Sequence, residues 1–305
     1  MARIKKGLTC AIITLLLWSQ APIAIKYLSV YFDVNTQNFF RYILAGLFLM
    51  VLYYRQIIHE IRKLSFISLI VPAILLFSYQ TAFVNGIYLT TATIAALLLR
   101  LTVIFTSIFA YMFFKEERSI ITSRSFIVGT ALAMIGAMAI ITTSGRASAS
   151  SNVSVLGSVL IMLSDILWSL YLVSVKINLR NTNPQVLSSL LITIAGTFFL
   201  PISVIKKSIF AVLYAPSFAN LLMIVSGVLF VGIGNLLNYL AINELGVAIP
   251  SALQLASPLL TAISSVIVFH EEMPLGKVIS GVLIMSGCSL IIYSSYAEQN
   301  TIKQH

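Results

Sequence analysis

Runs of about twenty mainly apolar residues, separated by short polar breaks, recur along the whole chain. A helix crossing a ~30 Å hydrocarbon core needs about 20 such residues. Ten segments meet that requirement: 7–28, 36–54, 66–88, 92–114, 124–143, 155–176, 185–204, 218–241, 247–269 and 275–294. The pattern predicts an all-α integral membrane protein of ten transmembrane helices. Most connections are short. The longest polar one runs from Thr142 to Asn152 and is rich in Ser, Gly and Ala, as linkers are. It divides the chain into a five-helix unit, 1–145, an external linker, 146–154, and a second five-helix unit with a short cytoplasmic tail, 155–305.

The two units repeat one another. A shift of 150 residues sets Gly7 on Gly157, Leu17-Trp18-Ser19 on Leu167-Trp168-Ser169, Lys26 on Lys176 and Ala45-Gly46 on Ala195-Gly196. A shift of 155 sets Phe114-Lys115-Glu116-Glu117 on Phe269-His270-Glu271-Glu272, and a three-residue deletion then brings Gly129 onto Gly281. One such match is chance; the same order across a whole half is not. Because each repeat holds an odd number of helices, the second begins on the opposite side of the membrane from the first. That is the inverted-repeat plan of secondary transporters.

Composition agrees. The 305 residues are 59% hydrophobic and only 9% charged, where a soluble domain is about 25% charged. The net charge of +10 does not indicate nucleic acid, because the basic residues sit singly or in short clusters between apolar runs. It indicates topology. With the N-terminus inside, the cytoplasmic ends and loops hold Arg3, Lys5, Lys6, Arg55, Arg62, Lys63, Lys115, Arg118, Arg124, Lys176, Arg180 and Lys303. The outer side holds Arg146, Lys206, Lys207 and Lys277, a count of twelve against four. The expected setting is a multi-pass protein of the cell (inner) membrane with both termini cytoplasmic. The first apolar segment is long enough to span and has a mid-chain counterpart, so it reads as a membrane helix rather than a cleaved signal. Cys10 and Cys288 lack any metal or disulfide spacing and read as buried thiols.

Several stretches carry a resemblance. Phe40-Arg41-Tyr42-Ile43-Leu44-Ala45-Gly46 resembles the start of the second helix in the EamA family of the drug/metabolite transporter superfamily. Ser251 to Thr261, with Gln254 and Pro258, running on to Glu271-Glu272, is similar to that family's ninth helix. Gly281 to Ile292 is similar to its small-residue tenth. The resemblance covers nearly the whole chain. It implies ten helices, cytoplasmic termini, a central site between the repeats, and transport of metabolites, often export of amino acids or related molecules. The first half has Val103 where the second has Pro258, so the helix break that Pro258 allows is expected in the second half alone.

Charged groups near a bilayer centre need a partner or a purpose. Asp165 is the one acid well inside a span, roughly 15 Å from the outer surface, and Arg100 lies roughly 12 Å from it. The pair reads either as a proton or substrate-amine site neutralised by Arg100, or as a structural ion pair. Trp18 and Trp168 fall near mid-span, away from the interfacial belts where Trp is usual. With Ser19 and Ser169 on the same faces, they suit either the walls of a cavity for an apolar or aromatic solute or the packing between repeats. Tyr79, Gln80 and Asn85 on the third helix match Asn235, Asn238 and Tyr239 on the eighth as groups bordering a path. Gln254, between Pro250 and Pro258, sits where an interrupted helix exposes backbone.

Arg41 suits an outer-vestibule contact or an anchor equally. Lys26 and Lys176 read as snorkelling anchors, and Glu116, Glu117, Glu271 and Glu272 as caps of loops. Gly129, Ala133 and Ala137 form a stripe suited to helix packing. The expectation is a secondary transporter moving a small metabolite by alternating access, as a monomer or homodimer, with the solute and the lipid bilayer as its partners. It needs neither a cofactor nor an ATPase subunit, since no phosphate-binding loop occurs. The rival readings are an intramembrane enzyme and a non-transporting scaffold. His59, His270 and His305 lie in or beside loops or at the terminus, and no clustered acids occur at depth, which disfavours the enzyme.

Overall fold

The computed structural model describes residues 2–89, 98–145, 155–260, 263 and 275–302. Every regular element among them is helical. The principal helices of the first half are α1 (Ala2–Leu28), α2 (Val34–Glu60), α3 (Phe66–Leu89), α4 (Leu99–Phe113) and α5 (Arg124–Gly145). Those of the second are α6 (Val155–Leu179), α7 (Pro184–Ile205), α8 (Ser217–Leu245), α9 (Ala248–Leu260) and α10 (Leu275–Ile302). Six of them, α1, α2, α3, α6, α7 and α8, are long and apolar enough to cross a membrane. A seventh span is counted if Lys115–Thr122 and α5, bent by 67°, are taken as one. The described apolar parts of α4, α9 and α10 are shorter. The sequence-derived segments 92–114 and 247–269 are therefore followed only in part. The linker 146–154, Glu271 and Glu272 lie outside the described residues.

Local chemistry sets the helix starts. Asp33 caps α2, its carboxylate accepting from the backbone N–H groups of Thr36 and Asn35 at 3.2 and 3.3 Å. Pro184 opens α7 in the first turn, where a missing N–H costs nothing. Inside α8 the residues Ser226–Ile233 form a π-helical stretch, a wide turn that leaves carbonyls free for other donors.

The two halves are repeats in sequence but interleaved in space. α2 packs along α7, α5 along α10, α3 along α6, and α1 along α8, with smaller contacts of α4 on α6 and α9 on α1. Replacing each helix by its counterpart maps this set of pairs onto itself. α2 and α7 run in opposite directions: Thr36 at the start of one meets Ser208 beyond the end of the other at 2.7 Å. At the opposite end, Glu60 accepts from the backbone N–H of Asn183 at 3.2 Å. α5 and α10 touch backbone to backbone. A Cβ built on Gly129 would lie 2.7 Å from the carbonyl oxygen of Gly287, and one on Gly287 would lie 2.5 Å from that of Gly129. Ala133 and Ala137 are fully buried in the same seam, so the small-residue stripe serves close packing. The outward faces carry exposed aliphatic side chains such as Val51, Val155 and Val282, as lipid contact requires.

Candidate functional site

Between the halves lies a cavity of about 180 Å³. It sits toward the end of the bundle where α2, α4 and α6 begin and α1 ends. Trp18, Tyr79, Trp168, Asn235, Asn238 and Gln254 all line it, drawn from five helices of both halves. Gln80, Arg100 and Asp165 line it as well.

Its apolar wall is aromatic. The Trp18 and Trp168 rings meet edge to face at 5.5 Å, and Tyr79 lies 4.6 Å from Trp168. Trp18 is fixed by its indole N–H, which donates to the Phe230 carbonyl at 2.9 Å. That carbonyl belongs to the π-helical stretch, so the wide turn of α8 holds the ring of α1. Repeat-related indoles thus touch across the interface between halves and line the cavity at once.

The polar wall follows from a proline. Pro258 has no N–H to give the carbonyl of Gln254 four residues earlier. The Ser257 N–H takes that carbonyl in a 3-10 turn, Gln254–Ala256, and Arg100 Nη1 donates to it at 2.8 Å. The matching segment of the first half, Leu99–Leu101, is a 3-10 turn too, although Val103 stands where the second half has Pro258. The expectation of a break in the second half alone is corrected. Here tertiary bonds hold the turn: Arg100 to Gln254, and the Thr102 hydroxyl, which donates to Asp165 Oδ1. One helical turn on, Thr106 and Ser169 bond at 2.9 Å and continue the seam between α4 and α6.

Arg100 and Asp165 share the cavity, yet each takes its own hydrogen-bond partner. Asp165 is 1% exposed, and its Oδ2 has no hydrogen-bond partner. Gln80 bridges the Tyr42 hydroxyl and Asn38, both at 3.2 Å. Asn235 Nδ2 donates to the Val231 carbonyl of the π-helical stretch at 2.8 Å.

Four sequence candidates do not line the cavity. Tyr239 is fully buried behind it, its hydroxyl bonded to that of Tyr171. Ser19 turns its hydroxyl to the Leu16 carbonyl at 2.8 Å, and Pro258 packs in the core. Asn85 likewise bonds its own helix, at Thr81. Conversely, Arg41 lines the cavity and is 2% exposed. A guanidinium inside an apolar span was its visible signal.

At the opposite end, ion pairs and a helix cap tie the two halves together. Glu117, 2% exposed, accepts from the backbone N–H groups of Val247 and Ala248 at 2.9–3.0 Å and from Lys176 Nζ at 2.5 Å. Lys176 also lies 3.3 Å from Glu116, which binds Arg180 at 2.9 Å. Two expectations change. Lys176 is a tethered ion-pair partner, not a snorkelling anchor, and Glu117 caps the start of α9 in the other half rather than its own loop. An anion at a helix start meets unpaired N–H groups and the positive end of the dipole. Gly246, with φ +81, turns the chain into this contact; its Cβ would lie 2.6 Å from the Glu117 carboxyl carbon.

Among known proteins, the chain is 24% identical over 276 residues to an uncharacterized transporter of Haemophilus influenzae, covering 88% of this chain and 90% of that protein. It is 28% identical over 212 residues to an uncharacterized transporter of Methanothermobacter thermautotrophicus, covering 70% of this chain and 60% of that one. A crystal structure of a protein 15% identical superposes with a TM-score of 0.77 over 94% of this chain and 96% of its own, a likeness of fold. The model of the EamA-like transporter family matches twice, over residues 5–142 and 155–293. With both repeats matched, the chain belongs to the EamA family of the drug/metabolite transporter superfamily: it is a multi-pass membrane transporter, not an enzyme.

Proposed function

We propose that the cavity is the solute site of a secondary transporter that moves a small metabolite, an amino acid or related compound, by alternating access in the direction of export. The observation that carries this is the meeting of repeat-related residues, Trp18 and Trp168, on one cavity, with a cross-half ion pair at the opposite end of the bundle. In this reading α1 to α10 are ten spans in two inverted sets of five. The end bearing Glu117 and Lys176 is cytoplasmic, and the cavity opens toward the outside. The excess of Lys and Arg at the Glu117 end supports that orientation. The family resemblance supports metabolite export.

Proteoliposome counterflow tests it. Vesicles loaded with a mixture of unlabelled amino acids should accumulate the cognate labelled one, and Trp168→Ala should reduce that uptake by up to about tenfold. Unchanged counterflow in a folded variant lacking both indoles would overturn the site.

A further inference from the structure

Among the described residues, Arg41 is a cavity-lining cation that no acid joins in an ion pair. It enters from the second turn of α2, is 2% exposed, and has no hydrogen-bond partner at Nε or Nη1. The ion pairs of the described residues use Lys6, Lys176 and Arg180 with Glu116, Glu117 and Glu244, none of them at the cavity. The neighbouring Tyr42 spends its hydroxyl on Gln80. A guanidinium does not deprotonate in proteins, so the charge stays, and a buried charge left unpaired is costly.

The backbone beneath it is firmly held. A Cβ on Gly227 of the π-helical stretch would lie 2.8 Å from the Arg41 carbonyl oxygen, so α8 presses directly on α2 at this residue. On the same cavity, Asn238 Nδ2 and Gln254 Nε2 are donors without acceptors. The site therefore offers a fixed cation and spare N–H groups beside an aromatic wall.

Resting on the reading of the cavity as a solute site, we infer that Arg41 is the subsite for a carboxylate. The transported solutes are small organic monoanions, or zwitterions, whose carboxylate pairs with Arg41 while an apolar body lies against Trp18 and Trp168. A guanidinium is the side chain suited to a planar carboxylate, by charge and by its fork of donors. With Arg100 set against Asp165, Arg41 leaves the cavity one net positive charge, which fits one negative charge better than the two of a phosphate monoester. The free Oδ2 of Asp165 decides between the two kinds of carboxylate: it suits the ammonium of an amino acid and leaves a plain acid without a second contact.

The chain reports on this site by itself, because its two tryptophans both line the cavity. Full-length protein in lipid nanodiscs is titrated with two pairs of probes, phenylacetate against phenylacetamide and phenylalanine against phenylalaninamide, following tryptophan emission. In at least one pair the carboxylate should bind tenfold or more tighter than its amide. The first pair identifies a plain acid as the ligand class, the second an amino acid. Arg41→Gln should erase the preference and Arg41→Lys retain part of it. If Arg41→Gln does not fold, the wild-type pairs alone decide. Amides that bind as well as their acids in both pairs overturn the Arg41 assignment while leaving the cavity a solute site. No saturable response to any probe, together with no counterflow, overturns both.

Discussion

At the residue scale, the cavity depends on a few side chains whose partners come from the other half of the chain. An edge-to-face aromatic pair contributes about 0.5–1.5 kcal/mol beyond its burial, so loss of either indole should weaken solute binding by up to about tenfold. Trp18→Ala should also free the Phe230 carbonyl, and the extra cost should show as a lower melting temperature than for Trp168→Ala. Asp165 and Arg100 sit in one cavity on separate hydrogen bonds. Asp165→Asn alone removes one of two nearby opposite charges and should lower expression and transport; adding Arg100→Gln should recover part of the expression. A double variant expressing no better than the single would show the two charges to be independent.

These residues were unevenly legible in the sequence. Mid-span Trp and Asp stand out against lipid. Tyr239 and Tyr79 do not differ in sequence, because in a span apolar on every side the period does not reveal which face looks inward. Only the fold shows Tyr239 spent on Tyr171. Arg41 was visible as a charge but not as an unpaired one, since pairing depends on neighbours far along the chain.

At the element scale, ends and breaks do most of the positioning. Asp33 caps α2, and its carboxyl, although burial disfavours its charge, is held below the usual carboxylate range by the Thr36 and Ser208 hydroxyls and the Thr36 and Asn35 backbone N–H groups. Its lowered pKa means that the cap's stabilisation is fully present above the unfolded value near 4 and is lost as pH falls through the folded one. Asp33→Ala should cost about 1 kcal/mol at neutral pH. Asp33→Asn should cost less and flatten the acid side of the stability profile, measured by thermal unfolding in detergent between pH 3 and pH 7.

The Glu117 cap is larger in effect. Removing its carboxylate leaves Lys176 with Glu116 alone and two backbone N–H groups without their acceptor, so Glu117→Ala should destabilise by on the order of 3 kcal/mol and loosen this end. A cysteine placed at Gly246 in that variant should become reactive to a polar maleimide; protection equal to that of the native chain would mean that other contacts close the end. The apolar runs made the helices legible, and Asp33 and Pro184 marked two starts. The 3-10 turn at Leu99–Leu101 was hidden, because no proline or glycine announces it and its cause is a bond to Gln254 on another helix.

At the scale of the whole molecule, the repeat was legible because Gly7, Trp18 and Lys26 find counterparts at one fixed offset. What the offset did not reveal is where each repeat finds its core. If the inverted plan holds, cysteines introduced singly at positions 60 and 300 should label from the same side of the membrane as one at position 4. Labelling of position 300 from the other side removes the odd-helix plan. The extensive helix contacts, α2 with α7, α3 with α6, α1 with α8 and α5 with α10, all cross between the halves. This interleaving has a consequence in time. Membrane helices insert one by one and associate afterwards, so on the proposed ten-span plan the nascent protein has, when the ribosome has finished residue 145, five inserted helices and almost nothing for them to grip. Biosynthesis must therefore carry an unassembled intermediate until α10 emerges, open to quality-control proteases throughout. A chain stopped at residue 145 should be made and inserted but degraded within minutes. Supplying residues 146–305 from a second gene should restore its lifetime, which pulse–chase labelling of the two fragments would measure directly.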